Sequence, residues 1–462
     1  MSPTTSKMRQ ITARLPEVRP FAAAMSRVQQ RETLTMDEQR GKPGLLIDPS
    51  LQDLSPSTRD YIAYFEQECS QDCVIHNVEP ANPFKEFMRL IPSCPGFRDA
   101  VVSVAALHRA QRVSSSILTT EDVNGMMLPN SSPESQAAKQ LQQSPDYYNA
   151  LRHKQRTLAF LRKESEEGFM NQLDGTIATI ILSTWFETMD SGRESWKYHL
   201  LGLRELVQRC GFSAIQSGRG SLAASIPQVY EYFDTTYAIF EIIGSTFVEA
   251  KQPYRPLFTT IPMLEVLKRS ETQTWVGCPA DLLFVLLLVN SASSRPAEDK
   301  QELLCNTLSL IRGFSPMNWA LTTTHSCHVK SRYHLASLYQ AAVEIYARQI
   351  FSMSTGQYCL TQEGPANSID SLMLNFQAID RQDTHFKSLI WPAFVIGAEM
   401  QTENQRAMIA EVFAHLWKLW CCPNVASAFE VLEKIWARRS AEGTPRPWIE
   451  YVYEWGEDWI FL

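Results

Sequence analysis

The chain has 462 residues, 44% of them hydrophobic and 10% aromatic, with a formal net charge of −7. That is ample material for a large core in one big domain or two ordinary ones, and it supplies no overall basic field for nucleic acid or anionic lipid. The longest apolar run, "LLFVLLLV" at 282–289, falls far short of the ~20 residues that span a bilayer. It reads as a core helix.

Residues 1–56 are mixed polar without lasting periodicity, so they read as a mostly disordered N-terminal segment. The opening "MSPTTSKMRQITARLPEV" lacks the apolar core of a signal peptide. The ten scattered cysteines, Cys69 the first, are therefore expected to be reduced and buried, as in a cytosolic or nuclear protein.

From residue 57 helical spacing dominates. Ser57 or Thr58 can cap a helix carrying Tyr61, Tyr64, Phe65 and Glu68. Pro92 and Pro95 end a short helix, and the next aligns Phe97, Val101, Val104 and His108. Residues 113–145 are polar and low in pattern, a long mobile loop. Tyr147–Lys163 is amphipathic, with Leu151, Leu158 and Leu161 expected to face in and Arg152, Arg156 and Lys163 out. "LDGTIATIILSTWFETMD" and "ESWKYHLLGLRELVQRCG" read as a helix pair, with Gly211 as the left-handed end of the second.

Further helices are expected at 228–248, 280–290, 298–312, 330–353, 367–379, 383–400, 403–421 and 425–439. Alternating strand patterns are nearly absent and no repeat has fixed length. The fold class is all-α: a large, irregular multi-helix bundle, a single domain over 57–462 with long polar loops.

No phosphate cradle, Gly-x-Ser-x-Gly elbow, His-Glu-x-x-His helix or aspartate-rich diphosphate motif is present. His325, Cys327, His328 and His334 lie within ten residues, but His328 and His334 do not share a helical face, so the group reads as a histidine-rich helix entry. Cys69 and Cys73 lack a second pair, and Cys421 and Cys422 close a helix before Pro423. The basic stretch "RHKQRTLAFLRK" at 152–163 reads as a solvated face, with a nucleic-acid or nuclear-import patch as the alternative. No catalytic residue, cofactor or metal is assigned.

"SLIWPAFVIGAEM" at 388–400 is apolar yet holds Pro392, Gly397 and Glu399. Pro392 must start a helix or kink one. Ala393 and Gly397, one turn apart, offer a close-packing surface. Glu399, if buried, must be paired. Arg406 or an arginine from another helix is its expected partner, which makes the carboxylate structural.

Several of these stretches together resemble the regulatory domain of fungal-specific transcription factors. They are "NPFKEFMRLIPSCPGFRDAVVSVAALHRA", "YYNALRHKQRTLAFLRK", the Trp196-x-x-His199-Leu200-x-Gly202 helix, the Gly277-x-Pro279 turn into "LLFVLLLV", "SRYHLASLYQAAVEIYAR", the Trp391-Pro392…Gly397-x-Glu399…Arg406 helix, and Trp436. The resemblance runs from about residue 57 to the end. It implies a nuclear regulator of a metabolic or secondary-metabolite gene set. Such a regulator works through protein partners (transcription machinery or a DNA-bound regulator), with a small-molecule effector possible and no membrane association.

The family's DNA-binding module is a six-cysteine binuclear zinc cluster near the N-terminus, and residues 1–43 hold no such ligands. Direct DNA binding through a zinc cluster is therefore not expected of the chain as given, and direct DNA binding by another route stays open. A mis-called gene start, a DNA-bound partner, or a domain turned to another use would each account for this. A ligand-sensing or protein-interaction module without its own DNA target is the alternative function, and a helical enzyme the less favoured one.

Overall fold

The computed structural model describes residues 51–76, 82–117, 141–167, 173–193, 195–210, 228–249, 262–292, 297–323, 328–355, 369–442 and 446–462. Residues 1–50, most of the expected loop (118–140), Gly211, His325 and Cys327 lie outside them. A helical unit runs from Ser55 to Leu462. Among the described residues there is no strand, only an isolated antiparallel bridge between Arg193 and Trp459.

Helix starts follow a recurring local rule: an oxygen-bearing cap residue followed by proline. Ser55 caps α1 (Pro56–Tyr64), Asn82 caps α2 (Pro83–Phe87) and Ser144 caps α4 (Pro145–Glu166), each accepting a backbone N–H of the first turn. Proline is tolerated there because the N–H it lacks would have no partner inside the helix. α3 (Pro95–Ile117) lies between them and runs past residue 113, so the expected loop begins later than its pattern suggested.

α3 packs on α4 and on α5 (Leu173–Asp190). α5 is buried on all sides from Asp174 to Thr188. Its polar residues are tolerated because the hydroxyls of Thr179, Ser183, Thr184 and Thr188 each donate to the carbonyl four residues back.

α4 corrects an expectation. Its inward face is Ala150, His153, Thr157 and Glu164, while Leu151 and Leu158 are exposed and Leu161 is only partly covered. The inward residues meet polar partners on α3: His153 Nδ1 lies 2.6 Å from Asp99, and Ser103 donates to the Ala150 carbonyl. The leucines lie outward because hydrogen-bonded groups, together with Phe160 against Gly96, occupy the face toward α3.

α6 (Ser195–Cys210) packs on α5, and α7 (Gln228–Gly244) on α8 (Met263–Gln273) and α9 (Ala280–Ser291). α10 (Ala297–Gly313) and α11 (Pro316–Ala320) lead to α12 (Val329–Thr355), the pillar of the C-terminal half. Against α12 pack α9, α10, α11, α13 (Ile369–Ala378), a 3₁₀ segment (Thr384–Leu389), α14 (Ile390–Gly397) and α17 (Trp448–Trp455). α15 (Glu403–Trp420) and α16 (Pro423–Glu442) cover the far side of α14.

α8, α11 and α17 were not anticipated. The segment expected as one helix over 383–400 is instead a 3₁₀ stretch followed by α14. Pro392 sits in the first turn of α14, which settles the choice between start and kink in favour of a start. Cys421 ends α15 in the left-handed conformation (φ 50°) just before Pro423. Of the cysteines described, Cys69, Cys73, Cys94, Cys278, Cys421 and Cys422 are buried, whereas Cys305 is exposed.

Candidate functional site

The residues singled out from sequence fall into three groups. The tightest surrounds the C-terminal end of α14. Gly397 faces α15 and α16 so closely that an added Cβ would lie 2.9 Å from Ile409 Cγ2 and 3.2 Å from Leu432 Cδ1. Trp436 Nε1, on α16, donates to the Gly397 carbonyl at 2.9 Å.

Glu399 is buried, 6% exposed. Its cationic partner comes from another helix: Arg439 Nη2 stands 3.2 Å from Glu399 Oε1. Gln349 Nε2, on α12, donates to the same oxygen at 2.6 Å. Arg439 further donates to the carbonyls of Ala398 (2.5 Å) and Arg446 (3.0 Å).

The proximate partner, Arg406, is used elsewhere. Its Nε donates to the Met400 carbonyl, and its guanidinium lies 5.4 Å from the Trp436 ring centre. The helix break after Gly397 turns the chain before α15 begins, which places Glu399 beside α16. Glu399 thus ties α12, α14 and α16 together.

The second group is the turn before α9. Gly277 has φ +56°, and a Cβ there would stand 2.9 Å from Ser388 Oγ and 3.0 Å from Ile75 Cδ1. Pro279 precedes the first residue of α9. Ser388 donates to the Trp275 carbonyl, and Tyr339 donates to the Ser388 carbonyl, so this turn is locked to the segment leading into Trp391.

The third group lies on α6. Trp196 is buried, donates Nε1–H to the Asp458 carbonyl at 3.1 Å and lies close against Gly244. His199 Nε2 lies 3.4 Å from Glu187, which Lys154 also meets at 2.9 Å. Burial disfavours the Glu187 charge, but hydrogen bonds from His199 and Lys154 outweigh it and hold the carboxyl below its ordinary range. The basic stretch is therefore partly neutralised from within: Lys154 is committed to Glu187 and His153 to Asp99.

Gly202 contrasts with Gly277, since nothing lies within 4 Å of where its Cβ would be. Gly202→Ala is expected to raise stability by about 0.5–1 kcal/mol, the ordinary gain inside a helix. Gly277→Ala is expected to lower it by about 2 kcal/mol or more, through left-handed strain and the Ser388 contact. Denaturant midpoints of the two variants check both signs; equal shifts would contradict the assignment.

One cluster escaped the sequence reading. His328, at the entry to α12, has Nδ1 at 3.0 Å from Asp383 Oδ2. His385 Nδ1 lies 2.8 Å from Asp383 Oδ1, and the His385 backbone N–H donates to the same oxygen. His76, after α1, places its ring beside both histidines. Burial disfavours the Asp383 charge, yet donation from His385 and His328 holds the carboxyl well below the usual range. Burial also pulls His385 down, toward its neutral form. His334, grouped with His328 by sequence, turns away and meets Asn375 Oδ1 at 2.8 Å.

Compared with known proteins, residues 60–462 match the fungal-specific transcription factor domain. The chain is also similar to the acriflavine sensitivity control protein acr-2 of Neurospora crassa, at 22% identity over 409 residues. That alignment covers 85% of this chain and 64% of the relative, so the chain spans under two thirds of that protein's length. No solved structure matches.

Proposed function

We propose, because this chain belongs to the fungal-specific transcription factor domain family, that it is a nuclear regulator of transcription that works through protein contacts and not an enzyme. The observation that carries the reading is the extent of the match, which begins within the first described helix and runs to Leu462. By the relative's name, the proposed target set takes in genes of acriflavine sensitivity beside metabolic and secondary-metabolite genes.

The surface supports a contact role. On α4, Tyr148, Leu151 and Leu158 are exposed at positions three and seven apart, an apolar line beside exposed Arg152 and Arg156. On α6, Tyr198 and Leu201 are exposed as well. Apolar side chains flanked by cations suit a protein partner of acidic, amphipathic character, such as transcription machinery or a DNA-bound regulator.

Chromatin immunoprecipitation of the tagged protein, combined with transcript profiling of a deletion strain, tests the reading. Promoter occupancy with matching transcript changes is the expected outcome. An unoccupied genome and unchanged transcripts would overturn it.

A further inference from the structure

We propose that His76, His328, Asp383 and His385 form a binding site for one divalent transition-metal ion, zinc by preference. The site would join three segments that are far apart in the chain.

Three imidazoles and one carboxylate form a donor set that favours zinc and its late-row neighbours over magnesium or calcium, which prefer all-oxygen surroundings. His328, Asp383 and His385 each present a ligating atom within 4.8 Å of the others. The two Nδ1–carboxylate separations, 2.8 and 3.0 Å, are close to the ~3.3 Å edge of a tetrahedron with bonds of about 2.0 Å. His328 meets Oδ2 and His385 meets Oδ1, so one ion between the two rings would be held by both oxygens of Asp383.

The rings supply an independent measure. Their centres are 5.4 Å (His76–His328), 5.4 Å (His76–His385) and 5.2 Å (His328–His385) apart, nearly an equilateral triangle. A zinc–nitrogen bond of about 2.05 Å places each imidazole centre roughly 3.2 Å from the ion, and three such rings at tetrahedral angles stand about 5.2 Å apart. The interplanar angles of 43°, 71° and 58° exclude stacking as the reason for the approach. Two imidazoles paired to one carboxylate, with a third ring against both and His385 wholly buried, is an expensive arrangement for packing alone.

The position gives the ion a role. His76 ends the segment after α1, His328 opens the pillar α12, and Asp383 and His385 lie at the start of the 3₁₀ segment that leads into α14. That junction already carries cross-links: Ile75 N–H donates to the Thr274 carbonyl, and Lys387 donates to the carbonyls of Asp72 and Val74. An ion there would staple the N-terminal helices to the core strut. His76 and His328 are only partly covered, which leaves the ion a way in. Binding is then linked to folding and releases protons from the imidazoles.

The test uses the tag-free full chain, stripped with a chelator and titrated with zinc chloride. The expected result is one zinc per chain and a melting temperature raised by about 2 °C or more at saturation. Cobalt(II) in place of zinc should give the strong visible absorption of a tetrahedral site. His76→Gln and His328→Gln should each weaken zinc binding about tenfold or more, as ligand removal does. His334→Gln, outside the site, should leave it unchanged.

Binding to wild type that is no tighter than to the His76→Gln/His328→Gln double variant would overturn the proposal, as would a weak octahedral cobalt spectrum. Should His328→Gln fail to fold, His76→Gln decides the matter, because His76 is only partly covered. Unaltered zinc affinity in that variant overturns the four-residue site.

Discussion

Glu399→Ala is expected to destabilise the fold by about 3–5 kcal/mol, the range for removing one partner of a buried ion pair. The loss of attraction is the smaller part. Arg439, whose side chain is 13% exposed, would keep its carbonyl acceptors but lose its counter-charge. Gln349, 2% exposed, would lose the carboxylate oxygen to which it donates. Each desolvated donor then loses its bond to the carboxylate without water to replace it.

Replacing both charges should restore much of the loss. Glu399→Met with Arg439→Met removes the orphaned cation, and buried pairs exchanged for apolar residues are often neutral or better. Arg406→Ala should cost about 1 kcal/mol or less, since Arg406 is only partly buried and serves one carbonyl and the face of Trp436. Urea unfolding of the four proteins checks the order. A Glu399→Ala midpoint equal to wild type, or an Arg406→Ala loss exceeding it, would refute the assignment.

The ion pair also shows what a sequence can and cannot convey. That Glu399 must have a partner followed from its apolar surroundings, and that Pro392 must start or kink a helix followed from its missing N–H. Which arginine answers Glu399 depended on how α16 lies against α14, and nothing in a run of 13 residues encodes that. Helix existence was legible wherever the apolar spacing was long. It failed for α8, for α11, which has only five residues, and for α17, whose eight residues are mostly aromatic or acidic.

On α4 the rule itself gave the wrong face. Leucine spacing identifies the buried side only when the interface is apolar, and here α3 presents Asp99 and Ser103 to His153 and the Ala150 carbonyl. The histidine cluster was hidden for a different reason. Ligand spacing is a local signal, and His76, His328 and His385 lie on three segments far apart in the chain. The local group around His328 pointed to His334, which the helix turns toward Asn375.

Trp391→Ala is expected to be at least as damaging, at about 4–5 kcal/mol or more, because it opens a cavity at the centre of the C-terminal half. Trp391 is 1% exposed. Its ring stacks on Tyr339 with centres 5.8 Å apart at 12°, and meets Tyr346 at a steep angle. Its Nε1 donates to Thr246 Oγ1 at 3.1 Å, while the Thr246 hydroxyl donates to the Ile243 carbonyl. Truncation therefore empties an aromatic-sized volume and removes the link from α14 to the end of α7.

The damage would also spread to Tyr339. Its hydroxyl donates to the Ser388 carbonyl, and Ser388 in turn holds the Trp275 carbonyl beside the Gly277 turn. A Tyr339 ring freed on one face loosens that lock, so the loss should exceed simple transfer of one indole. Trp391→Phe, which keeps the stack but not the donor, should cost about 1–2 kcal/mol. Thr246→Val should cost a similar amount by stranding the indole N–H. Denaturant midpoints at unchanged slope check the series. A Trp391→Ala loss under 1 kcal/mol would mean that α14 is not the strut on which α12, α7 and the Gly277 turn converge.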